Sequence, residues 1–409
     1  MRYIYIERER KINIVMDLRQ VIAAFLTLSM FAMLGNMIKR DHFDSLQMKS
    51  PTTLSGEYDA TELTKQRIVK LSSVSKEPWE ENGKVLRPCW NKPTPIYSCN
   101  LSLIVSKIAN AVVVAGYLGA TIVLPDIRGS KPGEKRNFEE IYDVKRLIRN
   151  LDGVITIAKY QPMKASSTIV RVPNWVSEDY IAANVEPLFR WKKILKLETY
   201  FPSLTMTKGE KTGYLDSYSC LGLFGILQLQ PGMQELVDSM VGRLGTLSQK
   251  SKGRFIALDL GKVCWESGVM GRSCYNAWEI GEFLKRIGFH RDTTIYLTQS
   301  GWHRSLDALR DIYPRTYTKQ GIMPADKKAK FLNAESSEFE KLVDFHICSQ
   351  SDVFIPAFSG LFYANVAGKR IAYGKRQILV PAQITSTSST DYISPYISNK
   401  SHLAYSCFC

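Results

Sequence analysis

Histidine is scarce in this chain: His42, His290, His303, His346 and His402 are five among 409 residues, and none stands four residues from another. Of the eight cysteines, none forms a Cys-x-x-Cys pair, so no zinc-ligand spacing is present. The local signatures of a dinucleotide-binding turn, a P-loop, a zinc protease helix and a nucleophile elbow are all absent. There is also no Asp-x-Asp, the acidic pair that holds a divalent metal on a sugar-nucleotide diphosphate. If the chain were to transfer a sugar from such a donor, it would be expected to do so without a metal cofactor. Acidic residues are outnumbered, 39 against 54 Lys and Arg, for a net charge of +15 and a pI near 9.3. That balance favours anionic partners, whether nucleic acid, a lipid surface, nucleotide phosphates or acidic glycans. The basic residues are spread thinly, as in Lys327-Lys328, Lys369-Arg370 and Lys375-Arg376, with no recognition module around them, which argues against nucleic acid.

What is present is enough for more than one domain: 46.4 kDa, 45% hydrophobic and 23% charged. The cysteines are Cys89, Cys99, Cys220, Cys264, Cys274, Cys348, Cys407 and Cys409. Their connectivity is not readable, although the terminal Cys-Phe-Cys is too tight for an easy mutual bridge, so each pairs elsewhere or stays free. Val21 to Ile38 is the longest apolar run, 18 residues, or about 27 Å as a helix against a hydrocarbon core of about 30 Å. Arg2, Arg8, Arg10, Lys11 and Arg19 precede it, and the positive-inside rule gives a cytosolic arm over 1–20, an anchor over 21–38 and a lumenal body. A buried core helix and a cleaved signal are the alternatives, and Met16 is an alternative start. Residues 39–85 read as a solvated stem. Asn100 and Asn399 open Asn-x-Ser sequons, usable if the body is lumenal.

The body alternates helical and strand patterns. A helical face runs from Ile104 to Leu118, stops at Gly119 and leads into a buried strand over 120–125; a second strand is expected over 154–157. Met233, Leu236, Val237, Met240, Val241 and Leu244 share a helix face before the strand 255–258. Asn276 with Glu279 forms a capping box for a helix closed by Gly288, ahead of the strand 294–297. Helices near 305–312, 336–348 and 359–367 alternate with strands at 353–355 and 378–380. This pattern predicts an α/β fold of parallel sheets in two units, over 86–230 and 231–383, with a tail over 384–409. Ligands in such folds bind at the carboxyl ends of strands. Ser351-Asp352-Val353-Phe354-Ile355-Pro356, followed by Ala357-Phe358-Ser359-Gly360, reads as a strand, a small-residue turn and a helix N-terminus suited to phosphate, or as an ordinary strand–helix turn.

These segments, with Leu342-Val343-Asp344-Phe345, Phe255-Ile256-Ala257-Leu258 and Ala120-Thr121-Ile122-Val123-Leu124-Pro125-Asp126, resemble the plant GDP-fucose protein O-fucosyltransferase-like family. Arg128-Gly129-Ser130-Lys131-Pro132-Gly133, Ile322-Met323-Pro324-Ala325-Asp326 and the Cys407-Phe408-Cys409 end are similar to its mannan-synthesis-related branch, and the likeness runs from about Asp17 to Cys409. The resemblance implies a GT-B-like pair of Rossmann-type domains, acceptor-side first and donor-side second. It also implies a type II Golgi membrane protein and metal-independent, inverting transfer from a GDP-sugar to a glycan or protein acceptor. By position it assigns Asp344 to the guanine or its surroundings and Ser351, Asp352, Val353 and Phe354 to the donor nucleotide; it names no catalytic residue. The family carries an Arg two residues after the His or Asp that ends the first donor-side strand. Here Asp259-Leu260-Gly261 stands there, so Gly261 replaces a cation that neutralises the leaving diphosphate. Loss of such a contact costs on the order of 10²–10³ in rate, and Lys262 offers a point charge rather than a bidentate fork. The Gly-rich turn expected before the Ile108 helix is likewise unrecognisable in Tyr97-Ser98-Cys99-Asn100-Leu101. A non-catalytic partner of a mannan synthase machinery is the alternative function.

Overall fold

In the computed structural model, the described residues are 79, 83–93, 102–105, 108–125, 127–128, 135–158, 168–192, 194–207, 215–260, 275–332, 338–382 and 386–409. The run Val21–Ile38, most of the stem, Asn100 and Gly261 lie outside them. Among the described residues no helix is long and apolar enough to cross a membrane.

The chain begins its first sheet with β1 (Ser102–Val105) and β2 (Thr121–Val123), adds a short antiparallel hairpin of β3 (Ile127–Arg128) and β4 (Lys135–Arg136), and returns with β5 (Ile157–Ala158), β6 (Thr168–Pro173) and β7 (Ile194–Tyr200). The sheet order is β5-β2-β1-β7-β6, with every pairing parallel. The helix α1 (Ile108–Leu118) joins β1 to β2 and ends where Gly119 takes φ +63°. The helix expected from Ile104 therefore starts four residues later. Ile104 and Val105 belong to the central strand, and their apolar side chains in the sequence merge with the helix pattern that follows. The strand expected over 154–157 is displaced similarly. The amides of Val154 and Ile155 donate back to the Leu151 carbonyl at 2.9 and 3.0 Å, so they close a helix and pairing begins only at Ile157.

The second sheet comprises β8 (Phe255–Asp259), β9 (Thr294–Leu297), β10 (Thr316–Thr318) and β11 (Val353–Pro356), in the order β10-β9-β8-β11 and again parallel. Every residue of β8, β9 and β11 is buried. Alternate side chains divide between two cores. Phe255, Ala257, Tyr296 and Phe354 pack with α2 (Pro231–Leu247), while Ile256, Leu258, Val353 and Ile355 pack with α3 (Ala277–Arg286). The capping box of α3 forms as expected, Asn276 Oδ1 accepting from the Glu279 amide at 2.9 Å and Glu279 Oε2 from the Asn276 amide at 2.8 Å. Two further helices, α4 (Glu338–Gln350) and α5 (Leu361–Ala372), flank β11. The segment 378–380 makes only isolated bridges, Ile378 to Phe354 and Leu379 to Ile393, rather than a strand. The fold is α/β with parallel sheets, as the alternation predicts.

Both cysteines of the terminal Cys-Phe-Cys pair elsewhere: Cys407 with Cys220, and Cys409 with Cys89. The first bridge is buried; the second is exposed. The tail is further held by Arg87 and Cys409, which exchange backbone hydrogen bonds at 3.2 and 2.9 Å.

Candidate functional site

The carboxyl edge of the second sheet gathers the polar residues. β8 ends in Asp259, β9 runs into Thr298, and β10 runs into Lys319. Thr298 Oγ1 donates to Asp259 Oδ1 at 2.7 Å, and the Ala357 amide donates to the Asp259 carbonyl at 2.9 Å, tying three strand exits together. Beneath them lies a buried ion cluster. Lys319 Nζ donates to Asp344 Oδ2 and, at 2.9 Å, to the Thr298 carbonyl, and stands 3.9 Å from Glu340 Oε2. Tyr296 Oη donates to Asp344 Oδ1 at 2.7 Å, and Ser300 Oγ donates to Glu340 Oε2. Asp344 is thus bonded through both carboxylate oxygens. Burial pushes its carboxyl up to about 6, against the opposing pull of Lys319 and the Tyr296 hydroxyl. Burial, reinforced by Asp344, also raises the Tyr296 phenol far above its ordinary range.

Beside this cluster, β11 runs through Ala357-Phe358-Ser359-Gly360 into α5. Gly360 is the N-cap, in extended backbone, and no side chain caps the helix. The first amides of an α-helix have no intrahelical acceptor, and the helix dipole adds partial positive charge there. Ser359 next to them is exposed. The arrangement presents donors to an anion at the edge where open α/β sheets bind ligands.

The residues assigned by resemblance fall in different places. Asp344 and Asp259 meet at the carboxyl edge. Ser351 and Asp352 sit at the opposite, amino edge, where Asp352 Oδ2 accepts from the Phe255 amide at 2.9 Å. Val353 and Phe354 are fully buried strand residues. Ser351 is enclosed by Arg370, a fully buried cation whose Nη1 donates to the Cys348 and Ser351 carbonyls and to Ser351 Oγ, at 2.7–3.0 Å. Its Nη2 donates to the Asp352 and Gln377 carbonyls, each at 2.9 Å. Desolvation draws the guanidinium down to about 10. Asn399 is exposed, just past the short helical turn Pro395–Ser398. Lys319, Tyr296, Glu340 and Arg370 were not singled out by the sequence reasoning. Lys319 and Arg370 look like surface bases, and only the isolated position of Lys319 after Thr316-Tyr317-Thr318, a β-branched strand pattern, hints at an inward charge.

Comparison with known proteins identifies the lineage. The family model for GDP-fucose protein O-fucosyltransferase matches residues 98–264 and 272–373. The chain belongs to the GDP-fucose protein O-fucosyltransferase family. Within that family it stands with the mannan-synthesis-related branch. It is 49% identical to MANNAN SYNTHESIS-RELATED 1 of Arabidopsis thaliana and 44% identical to MANNAN SYNTHESIS-RELATED of Trigonella foenum-graecum, in both cases over 96% of this chain and 99% of the relative. Among solved structures it is similar to POFUT1 in complex with GDP-fucose, with a TM-score of 0.42, 11% identity, and coverage of 70% of this chain and 99% of that one. The NodZ α-1,6-fucosyltransferase soaked with GDP-fucose gives a TM-score of 0.42 at 10% identity, covering 70% and 96%.

Proposed function

We propose that this O-fucosyltransferase-family protein takes a GDP-sugar at the carboxyl edge of its second sheet and serves cell-wall mannan synthesis. The observation that carries the reading is the uncapped N-terminus of α5 beside the Asp259–Thr298 tie and the Asp344 cluster. The diphosphate would accept from the first amides of α5, and those donors would stabilise the charge that develops on the leaving GDP as an acceptor hydroxyl attacks the anomeric carbon with inversion. No metal or cofactor is required in this scheme. Residues 86–230 would form the acceptor-side and 231–383 the donor-side unit of a GT-B-like pair, behind a type II Golgi anchor over 21–38. The two disulfides support an oxidising, lumenal setting for the body. The acceptor is a glycan or a protein.

A second reading, a non-catalytic partner of a mannan synthase machinery, is favoured by Gly261 at the family's Arg position and by the full hydrogen-bonding of Asp344. Calorimetric titration of the detergent-solubilised full chain with GDP and UDP separates the two. A Cβ on Gly360 would find its nearest neighbour, Phe358 Cε2, at an ordinary 3.6 Å, and Asp is a preferred N-cap, so Gly360→Asp is expected to leave stability unchanged or raise it by a few tenths of a kcal/mol. Its carboxylate would nevertheless occupy the phosphate position, and GDP affinity should fall more than tenfold. A wild-type chain that is folded and binds neither nucleotide supports the partner reading.

A further inference from the structure

Nine large apolar side chains are exposed among the described residues, and four of them lie on one strand pair and its exit. Ile169 is on β6, Trp175 is just beyond it, Tyr200 closes β7 and Leu204 follows, with exposures of 55, 38, 43 and 57%. Within the pair, Val170, Val172, Leu195 and Leu197 turn into the first core, while the alternate face stays open. Pro173 stands opposite Tyr200 in the ladder, and beyond it Asn174 Nδ2 donates to the Ser203 carbonyl at 3.3 Å, tying the two exits so that Trp175 and Leu204 each follow the tie. Ser203 Oγ and Thr205 Oγ1 lie 2.9 Å apart beside it. Asn174 is more than nine-tenths buried, and its Oδ1 has no hydrogen-bond partner among the described residues. A buried acceptor left without a donor is costly.

The chemistry of the exit selects its occupant. A clustered exposed apolar patch marks an interaction site. Yet in a chain of net charge +15, neither 173–176 nor 200–207 carries a charged residue. Further down the strands, Arg171 and Lys196 are both engaged by Glu198, at 4.0 and 3.3 Å. One carboxylate offsets only one of these two cations, so the net positive charge lies down the strand face, and an anionic glycan or an acidic lipid surface finds no cation at the exit itself. Aromatic rings interleaved with an amide and hydroxyls suit a neutral carbohydrate, whose polarised C–H face stacks on the negative ring face while its hydroxyls hydrogen-bond at the rim. The exit is also coupled to the proposed donor helix. The Leu403 amide donates to the Met206 carbonyl at 2.9 Å, and His402 Nε2 in the same tail lies 2.9 Å from the Ala364 carbonyl of α5. Resting on the glycosyl-transfer reading above, we infer that Trp175, Tyr200 and Leu204, with Asn174, form the platform that holds a neutral hexose chain as acceptor.

The test uses the full chain in detergent with mannohexaose as probe, read by tryptophan fluorescence and calorimetry. Wild type should bind the hexasaccharide, Trp175→Ala should weaken it at least tenfold, and Trp175→Tyr should restore most of the loss, because a ring rather than bulk is needed. Leu204→Ala, at a more exposed position, provides an independent variant with a severalfold loss should Trp175→Ala fail to fold. GDP affinity should be the same in all of them. Binding of the hexasaccharide without GDP binding leaves the platform standing and defeats the donor reading; GDP binding with no hexasaccharide binding defeats the platform alone. Unchanged hexasaccharide affinity in both Trp175→Ala and Leu204→Ala overturns the proposal. So does a patch that instead associates with phosphatidylcholine vesicles or drives wild-type self-association in sedimentation, each lost in Leu204→Ala.

Discussion

The two ends of the second sheet solve the same problem, a buried cation, in opposite ways. At the amino edge, the groups that accept from Arg370 are backbone carbonyls and a serine hydroxyl, all uncharged. At the carboxyl edge, Lys319 is held between the carboxylates of Glu340 and Asp344, the latter raised to about 6. Neutral acceptors in fixed backbone make a rigid lock that no ordinary pH alters. A titratable acceptor, Asp344, beside an uncapped helix makes a site whose charge responds to what arrives. Burial alone, which is equal at both ends, does not separate structure from function; the chemistry of the partner does.

Opening the lock should cost stability heavily at every ordinary pH. Arg370→Met removes five buried hydrogen bonds from a charged donor, to the carbonyls of Cys348, Ser351, Asp352 and Gln377 and to Ser351 Oγ. Each is ordinarily worth about 1.5–3 kcal/mol, although the Cys348, Ser351 and Gln377 carbonyls keep a second donor in Ser351 Oγ, Lys375 Nζ and the Phe354 amide. After relaxation a loss on the order of 4 kcal/mol is expected, close to the whole stability of a marginal domain. Arg370→Lys should recover part of it, since a point charge reaches fewer acceptors than a fork. Urea unfolding of the three proteins measures this. A loss below about 1 kcal/mol for Arg370→Met would break the comparison at its structural end.

The carboxyl edge should respond differently because its loss depends on pH. Lys319→Met strands Asp344 and Glu340 without their cation, at a cost of about 3–5 kcal/mol near neutrality. The penalty should shrink toward pH 4 as Asp344 protonates. Asp344 itself sharpens the point. Its folded-state value is raised above the ordinary 3.8 to about 6, so its contribution to stability is present below about pH 4 and is lost as pH rises through 6. Asp344→Asn removes that dependence. The stability of the variant relative to wild type should climb between pH 4 and pH 6 by on the order of 3 kcal/mol, whatever constant offset the lost bonds impose. A flat difference across that window would mean that the carboxyl edge is as inert as the amino edge.

Much of the sheet–helix alternation was legible, because fully buried strands such as Phe255–Asp259 and capped helices such as Ala277–Arg286 carry strong local signals. β6 and β7 were not. A search for continuous apolar runs passes over Thr168–Pro173 and Ile194–Tyr200, whose half-open face imposes alternation on an otherwise buried sheet. The disulfides span 320 and 187 residues, and no local pattern encodes such pairings. At the site, Asp344 came from resemblance, whereas its partners Tyr296 and Lys319 lie 48 and 25 residues away and meet it only through the packing of α4 on the sheet. Arg370 was invisible for a further reason. Its acceptors are main-chain carbonyls, which every sequence supplies equally.

The smallest effect is the most direct test of which end binds. Ser351 was assigned to the donor nucleotide by resemblance, and its hydroxyl donates to the Cys348 carbonyl at 3.0 Å while accepting from Arg370. Ser351→Ala removes one oxygen from the lock and leaves Arg370 its carbonyl partners. The expected result is a loss of about 1 kcal/mol in unfolding with GDP affinity unchanged. The two readouts divide the alternatives, because a residue that only holds the strand end moves the first and a nucleotide ligand moves the second. A tenfold fall in GDP affinity at unaltered stability would put the donor at the amino edge and undo the division between lock and site. An effect on stability alone would leave the carboxyl edge, with its uncapped α5 and its titratable cluster, as the binding end of the sheet.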